Sequence, residues 1–328
     1  MSNEKILKVQ DLRMYFPVYR GLLRQKVADV KAVENVSFDI NKGETFGLVG
    51  ESGCGKTTTG KCVLRILEPT SGSIEYCGMD LAQMNNVQLK PYRREIQMIF
   101  QDPYGSLDPR QSVSSIVKEA LITEQHGKYT PAEVKDRVEE LLTTVGLDPS
   151  LGDRYPHEMS GGQRQRLGIA RALACDPKLI VCDEPVSALD VSIQAQIINL
   201  FEELQEKLGL SYLFVAHDLA VVRHISQNIA VMYLGHIVEI TSSDVLYKNP
   251  LHPYTQALLS AIPITDYYAE KKRERIVLEG DVPSPINAPS GCPFHPRCRY
   301  ATDICRKEMP ELQQVDENHR VACHCMKV

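Results

Sequence analysis

The sequence predicts an α/β fold built on a largely parallel sheet, and three observations carry that expectation. Apolar, β-rich runs alternate with helical periods through most of the chain. The segment Gly50-Glu51-Ser52-Gly53-Cys54-Gly55-Lys56-Thr57 fits G-x-x-x-x-G-K-[ST] between a run that reads as strand and one that reads as helix. From about 107 to 159 the pattern is helical with no strand, which marks a helical subdomain inserted into the α/β core.

In chain order, residues 19–30, with Arg20, Arg24 and Lys26, read as an extended loop between two early strands, either a solvated hairpin or a contact for lipid headgroups or a membrane partner. A strand over 45–50 leads through the Gly-rich turn into a helix over about 56–67. Thr130-Pro131-Ala132-Glu133 is a capping box with Pro at the first helical position, and Val134, Val138, Leu141, Leu142 and Val145 share one face before Gly146 ends the helix. A strand returns over 178–182. A long amphipathic helix over about 192–208 then turns Ile193, Ile197, Phe201, Leu204 and Leu208 inward, with Gly209 as its stop. A further strand covers 211–215. Beyond about 240, prolines such as Pro250, Pro253, Pro263, Pro283, Pro285 and Pro289 break up regular structure, so a second, irregular domain is expected there.

At 328 residues, with 43% apolar and 24% charged residues, the chain has the length of about two domains and the composition of a folded protein, which excludes disordered and fibrous classes. No stretch approaches the roughly 18 apolar residues of a membrane span; the richest, 228–240, is interrupted by His236 and Glu239. The start, MSNEKILKVQ, lacks the apolar run of an export signal, so a cytosolic chain is expected. Lys and Arg number 37 against 42 Asp and Glu, interspersed to a net charge of −5, which argues against a nucleic-acid partner. Ten cysteines are present, and Cys292, Cys298, Cys305, Cys323 and Cys325 fall in the last 37 residues. In a reducing compartment such a cluster reads as metal ligation before disulfides.

The chemistry follows from residue types. The loop glycines let backbone N–H groups form an anion nest, the following helix N-terminus adds its positive end, and Lys56 reaches the β and γ phosphates of a nucleotide. The Thr57 hydroxyl suits Mg²⁺. Leu179-Ile180-Val181-Cys182 is an apolar strand ending in Asp183 and Glu184, of which the first can hold Mg²⁺ and the second can polarise an attacking water. Met159-Ser160-Gly161-Gly162-Gln163 precedes a helix to about 174 and by itself also reads as an N-cap with a flexible lead-in. Gln101 in Phe-Gln-Asp-Pro, Ser187-Ala188-Leu189-Asp190, and His217 after the strand complete an ordered set.

That set, over residues 1 to about 240, resembles the motifs of the ATP-binding-cassette (ABC) ATPases in order and approximate spacing. The resemblance implies a P-loop ATPase core with an antiparallel β subdomain and a helical subdomain inserted at about 104–165. It implies nucleotide contacts from Gly50, Ser52, Gly53, Cys54, Gly55, Lys56, Thr57 and Thr58, and Mg²⁺ ligation by Thr57, Gln101 and Asp183. Catalysis falls to Glu184, with Gln101 as the Q-loop residue and His217 as the switch histidine. Asp190 matches the D-loop. Ser160, Gly161, Gly162 and Gln163 match the signature that contacts the γ-phosphate of ATP bound to a partner subunit. Phe16 is expected to stack on adenine, with Tyr15 as the fallback.

The N-terminal loop, Asn249-Pro250-Leu251-His252-Pro253-Tyr254-Thr255 and Gly291-Cys292-Pro293-Phe294-His295-Pro296-Arg297-Cys298 narrow the resemblance to ATPase subunits of oligopeptide/dipeptide and nickel permeases, of the second of two paired kinds. This implies an ATP-hydrolysing subunit that powers peptide uptake, with residues 241–328 as a permease-type C-terminal domain. The partners implied are a paralogous ATPase in a heterodimer, two transmembrane permease subunits and, indirectly, an extracytoplasmic substrate-binding protein, which together hold the chain at the cytoplasmic face of the plasma membrane. A nickel or other small-solute importer, or a soluble non-transport cassette ATPase, are the alternatives. Against the latter, only 104 residues separate Lys56 from Ser160, too few for a long coiled-coil insertion, and one cassette is present where translation factors carry two.

Cys292, Cys298, Cys305 and Cys323 are spaced C-x5-C-x6-C-x17-C in a Pro-rich segment with little apolar periodicity, where a metal staple makes physical sense. The short knuckles usual for structural zinc are missing, so an iron–sulfur cluster suits the set at least as well. The resemblance favours a four-iron four-sulfur cluster. Cys325 can replace Cys323, and His295, His319 or His324 become relevant if the metal is zinc.

Overall fold

The structure, a computed structural model, describes residues 4–21, 24–102, 104–124, 129–262 and 275–326. Its strands are β1 (Lys5–Arg20), β2 (Gln25–Asn41), β3 (Thr45–Val49), β4 (Ser71–Tyr76), β5 (Met79–Asp80), β6 (Ile96–Ile99), β7 (Leu179–Asp183), β8 (Ser211–Ala216), β9 (Asn228–Tyr233), β10 (His236–Ser242), β11 (Gln313–Asp316) and β12 (His319–Val321). Its helices are α1 (Lys56–Val63), α2 (Asn86–Glu95), α3 (Val113–Glu124), α4 (Pro131–Thr144), α5 (Gly161–Leu173), α6 (Val191–Leu208), α7 (Leu219–Ile225), α8 (Ser243–Lys248), α9 (Pro253–Ser260) and α10 (Asp303–Lys307). They fall into two compact units, one of Met1–Ile6, Asn41–Glu44 and Gln83–Val215, the other of Leu7–Ile40, Thr45–Ala82 and Ala216–Val328.

The first unit contains the parallel strands β8, β7 and β6, in that order, with Ile96 opposite Leu179 and Asp183 opposite Val215. Every residue of β7 and β8 is buried, as expected of parallel strands covered on both faces. Between β6 and β7 the described residues form helices and turns and no strand, in line with the helical pattern of the sequence. The predicted capping box of α4 is present: Thr130 Oγ1 accepts from the Glu133 N–H and the Glu133 carboxylate accepts from the Thr130 N–H. Val134, Val138, Leu141, Leu142 and Val145 are all buried, each worth roughly 1.5–3 kcal/mol of apolar transfer. They meet a helix, α3, whose Val113, Ile116, Val117 and Leu121 are buried in turn.

The inward face of α6 differs from expectation at both ends. Ile197, Ile198, Leu200, Phe201 and Leu204 are buried, whereas Ile193 is half-buried and Leu208 is 54% exposed. Gly209 stops the helix in a left-handed conformation, φ 67°, as expected.

The second unit holds an antiparallel sheet, β2-β1-β4-β5, and a second run of strands in the order β11-β12-β10-β9-β3. Here β3 is parallel to β9, β9 and β10 form a hairpin, and β12 pairs antiparallel with β10, setting Glu239 opposite Val321. Of the two readings of residues 19–30, the hairpin holds: β1 continues to Arg20, β2 begins at Gln25 and the two are neighbours in the sheet, so less of the segment is loop than expected. Backbone pairing does not depend on which side chains project from it, so an exposed strand pair carries Arg20 and Lys26 without penalty. Of the turn, the described residues are Gly21 and Arg24, joined by a hydrogen bond from the Arg24 N–H to the Gly21 carbonyl of 3.1 Å. Helix α1 is also shorter than expected. It ends at Val63 because Arg65 takes a left-handed conformation, φ 53°, and its guanidinium donates to the Leu81 carbonyl at 2.9 Å. Among the described residues beyond 275, regular structure is limited to α10, β11, β12 and a single 3-10 turn, His295–Arg297. Among the described residues no helix is long and apolar enough to cross a membrane.

Candidate functional site

The phosphate loop lies in the second unit, between β3 and α1. Two of its glycines are required by contact as well as by torsion: a Cβ at Gly50 (φ 156°) would lie 2.1 Å from the Met232 carbonyl oxygen, and one at Gly55 (φ 107°) 2.2 Å from that of Ala32. Helix α1 begins with no side-chain cap and no acid in its first turn, which suits an anion at its N-terminus. Lys56 is buried at 4% exposure, and its ammonium donates to the carbonyls of Gly50 (2.7 Å) and Glu51 (3.0 Å), curled back over the loop. Ser52 and Gly53 are exposed, while Thr57 and Thr58 are half-buried in the first turn of α1. Cys54 is buried, which pushes its thiol pKa up against the pull of Lys56, and its N–H donates to the Glu51 carbonyl at 3.3 Å.

Glu51 went unnoticed in the sequence because it occupies a variable position of the motif. Its N–H donates to Tyr254 Oη at 2.9 Å, and its carboxylate accepts from both terminal nitrogens of Arg297, at 2.7 and 3.2 Å. No sequence signal links residues so far apart.

The first unit brings together Gln101 and Glu184, whose side chains meet at 2.9 Å, Gln101 Nε2 donating to Glu184 Oε2. Buried Asp183 ends β7, and Glu184 follows with φ 44°, a left-handed torsion unusual for a residue with a side chain. That turn is pinned by the Glu184 N–H donating to the Val215 carbonyl (2.9 Å) and by Ser187 Oγ donating to the Glu184 carbonyl (3.0 Å). Ser160 and Gln163 form a reciprocal capping box on α5, so the N-cap reading of this segment holds whatever else it does. A Cβ at Gly162 would come within 2.7 Å of Ile193, whose side chain would have to shift, while one at Gly161 would meet only Leu189, at 3.3 Å. Asp190 is the exposed N-cap residue of α6.

Phe16 and Tyr15 sit side by side on β1, both half-buried. The Tyr15 hydroxyl donates to the Glu34 carboxylate (2.7–2.8 Å) and the Lys31 ammonium lies 5.5 Å from its ring centroid. Burial and the Glu34 carboxylate raise its pKa to about 12. Tyr15 is thus committed to a local ion network. His217 is exposed, between β8 and α7.

Three of the C-terminal thiols meet within the second unit. Cys305 and Cys325 are 3.6 Å apart, Cys323 Sγ accepts from the Cys325 N–H at 3.3 Å, and Cys292 and Cys298 lie close enough to the others to bear on their ionisation. Burial pushes the Cys292 thiol up to about 11 and that of Cys323 to about 12; at Cys305, hydrogen bonds from Thr302 and Cys325 overcome burial and lower it. No group of three or more Cys, His, Asp or Glu among the described residues is gathered tightly enough to hold a metal ion. The histidines considered for zinc each have a ring nitrogen engaged, His295 with the Cys292 carbonyl, His319 with Glu239 and His324 with the Glu308 carbonyl.

Residues 33–187 match the family described as ABC transporter, and residues 238–305 match the oligopeptide/dipeptide transporter C-terminal region. The chain is 56% identical over 324 residues to the oligopeptide transport ATP-binding protein AppF of Bacillus subtilis, covering 98% of both chains. It is 49% identical over 329 residues to the oligopeptide transport ATP-binding protein OppF of Salmonella typhimurium, covering 100% of this chain and 97% of that one. Among solved structures, the dimeric post-hydrolysis state of the ATP-binding cassette MJ0796 bound to ADP and Pi superposes with a TM-score of 0.65 at 28% identity, over 72% of this chain and 98% of that one.

Proposed function

Because the chain belongs to the ABC transporter family, with the C-terminal region of oligopeptide/dipeptide transporters, we propose that it is the ATP-hydrolysing subunit of an importer for oligopeptides or dipeptides. The observation that carries the hydrolytic part is the hydrogen bond between Gln101 and Glu184 at the exit of a buried strand. A carboxylate fixed there through both its backbone and its side chain is suited to orienting a water and taking its proton.

In this reading the phosphates of ATP lie on the N–H groups of the loop and of the α1 N-terminus, and Lys56 exchanges its loop carbonyls for β and γ phosphate oxygens. The hydroxyl of Thr57, the amide oxygen of Gln101 and the carboxylate of Asp183 are all hard oxygen donors and fit Mg²⁺. When bound, that ion neutralises charge on the phosphates. Gln101 donates through Nε2 to Glu184, which leaves Oε1 for the cation. Glu184 holds the attacking water, His217 serves the γ-phosphate, and Phe16 stacks on the base. Ser160, Gly161, Gly162, Gln163 and Asp190 act across a dimer on the nucleotide of the partner subunit; that the similar MJ0796 cassette is dimeric supports this.

The partner is a paralogous ATPase, and the pair works at the cytoplasmic face of the membrane beneath two transmembrane permease subunits fed by an extracytoplasmic binding protein. Residues 1–240 form the cassette and 241–328 its transporter-specific extension. An iron–sulfur cluster at Cys292, Cys298, Cys305, Cys323 and Cys325 rests on the cysteine spacing alone, since it needs four thiolates and the described thiols are not gathered that tightly. Protein purified without oxygen is then brown and contains iron and sulfide, and both are lost in Cys298→Ser; stoichiometric zinc without iron would rule the cluster out. The transport reading is tested by reconstituting the complete transporter in liposomes. Internal ATP should drive peptide accumulation, and hydrolysis that never responds to peptide or permease would overturn it.

A further inference from the structure

The phosphate loop carries a negative charge of its own, at Glu51. A carboxylate in a loop that receives a polyphosphate repels its ligand, unless that charge is cancelled. The structure supplies the cancelling group from the C-terminal segment: Arg297 meets Glu51 through two nitrogens, at 2.7 and 3.2 Å, and its side chain is only 8% exposed. The guanidinium lies 6.0 Å from the Tyr233 ring centroid. Its backbone is anchored by Phe294, three residues earlier, whose ring packs at 5.2 Å from Tyr233 and 5.4 Å from Tyr254. Tyr254 in turn accepts from the Glu51 N–H. Glu51 is therefore held at its amide by Tyr254, at its carbonyl by Lys56 and at its carboxylate by Arg297. Two of these three attachments come from beyond residue 250.

We propose that Arg297 is a positioning residue for the phosphate loop, which neutralises and fixes Glu51 so that the C-terminal segment sets the affinity of the loop for nucleotide. The proposal rests on the reading that this loop binds ATP. It implies a ground-state effect: losing Arg297 weakens ATP binding more than it slows the chemistry of bound ATP.

The test is a titration of the full chain with a fluorescent ATP analogue, together with KM and kcat, for Arg297→Ala, Arg297→Lys and the double variant Glu51→Gln/Arg297→Gln. Arg297→Ala should raise Kd and KM by about tenfold, the scale of one uncompensated charge near the phosphates, with a smaller change in kcat. Arg297→Lys should fall between it and wild type, because Lys keeps the charge but loses the two-pronged contact. The double variant should recover most of the lost affinity, since the repelling charge is gone. A double variant as weak as Arg297→Ala, or wild-type affinity in Arg297→Ala, overturns the proposal. If Arg297→Ala does not fold, as judged by thermal melting, the lysine and double variants decide by the same criteria. Failure of the wild-type chain to bind the analogue would instead count against the nucleotide reading.

Discussion

The phosphate loop and the C-terminal segment hold their backbones by opposite means. In the loop the partners are neighbours in sequence: Lys56 reaches back to Gly50 and Glu51, and the Thr59 hydroxyl to Gly55. In the C-terminal segment they are distant. His319 meets the buried Glu239 at 2.7 Å across 80 positions, and Arg297 meets Glu51 across 246. Glu239 also accepts from the N–H groups of Leu251 (2.8 Å) and His252 (3.1 Å), so one carboxylate fastens both β12 and the start of α9. His252, beside it, is kept neutral by burial, which lowers its pKa to about 4. The loop is built for a ligand and makes most of its contacts locally, taking distant partners at Glu51 and at the Cys54 carbonyl. The C-terminal segment has few regular elements and relies on a handful of buried polar contacts.

Two substitutions sharpen that contrast. Glu239→Ala strips three hydrogen bonds from a fully buried site and leaves His319 without its acceptor; it should cost about 3–5 kcal/mol of stability in thermal or denaturant unfolding. A loss within the range of an ordinary surface change would mean that the segment is held by something else. Lys56→Ala should act the other way, weakening ATP by about 1.5–3 kcal/mol through the loss of charged hydrogen bonds. Its melting temperature without nucleotide should fall far less than that of Glu239→Ala, and the reverse ranking would break the comparison.

The same difference decides what could be read from the sequence. The loop, the capping boxes at Thr130 and Ser160, the strand ending in Asp183 and Glu184, and the Gly209 stop are all set by residues within a few positions of one another, and each formed as its local pattern dictates. The early stop of α1 depends on Arg65 in a left-handed conformation, which no glycine or proline announces. The buried face of α6 ends at Leu204, and helical periodicity carries no such limit. Charged residues at 19–30 were compatible with the hairpin that formed but said little about how far its strands pair. The Glu51–Arg297 and Glu239–His319 pairs join residues that only the folded chain brings together. Cysteine spacing suggested a four-thiolate metal centre, and among the described residues the thiols are not gathered tightly enough for one, although Cys305 comes within 3.6 Å of Cys325.

The central claim, that this chain hydrolyses ATP through Glu184 held by Gln101, is tested most directly by Glu184→Gln in the assembled transporter, with ATP binding and turnover measured on the same sample. The amide keeps the size of the side chain and cannot take a proton from water. ATP should bind as tightly as in wild type, while turnover falls by about two orders of magnitude or more, the scale of losing a general base. Near-normal turnover with ATP still bound would contradict the claim.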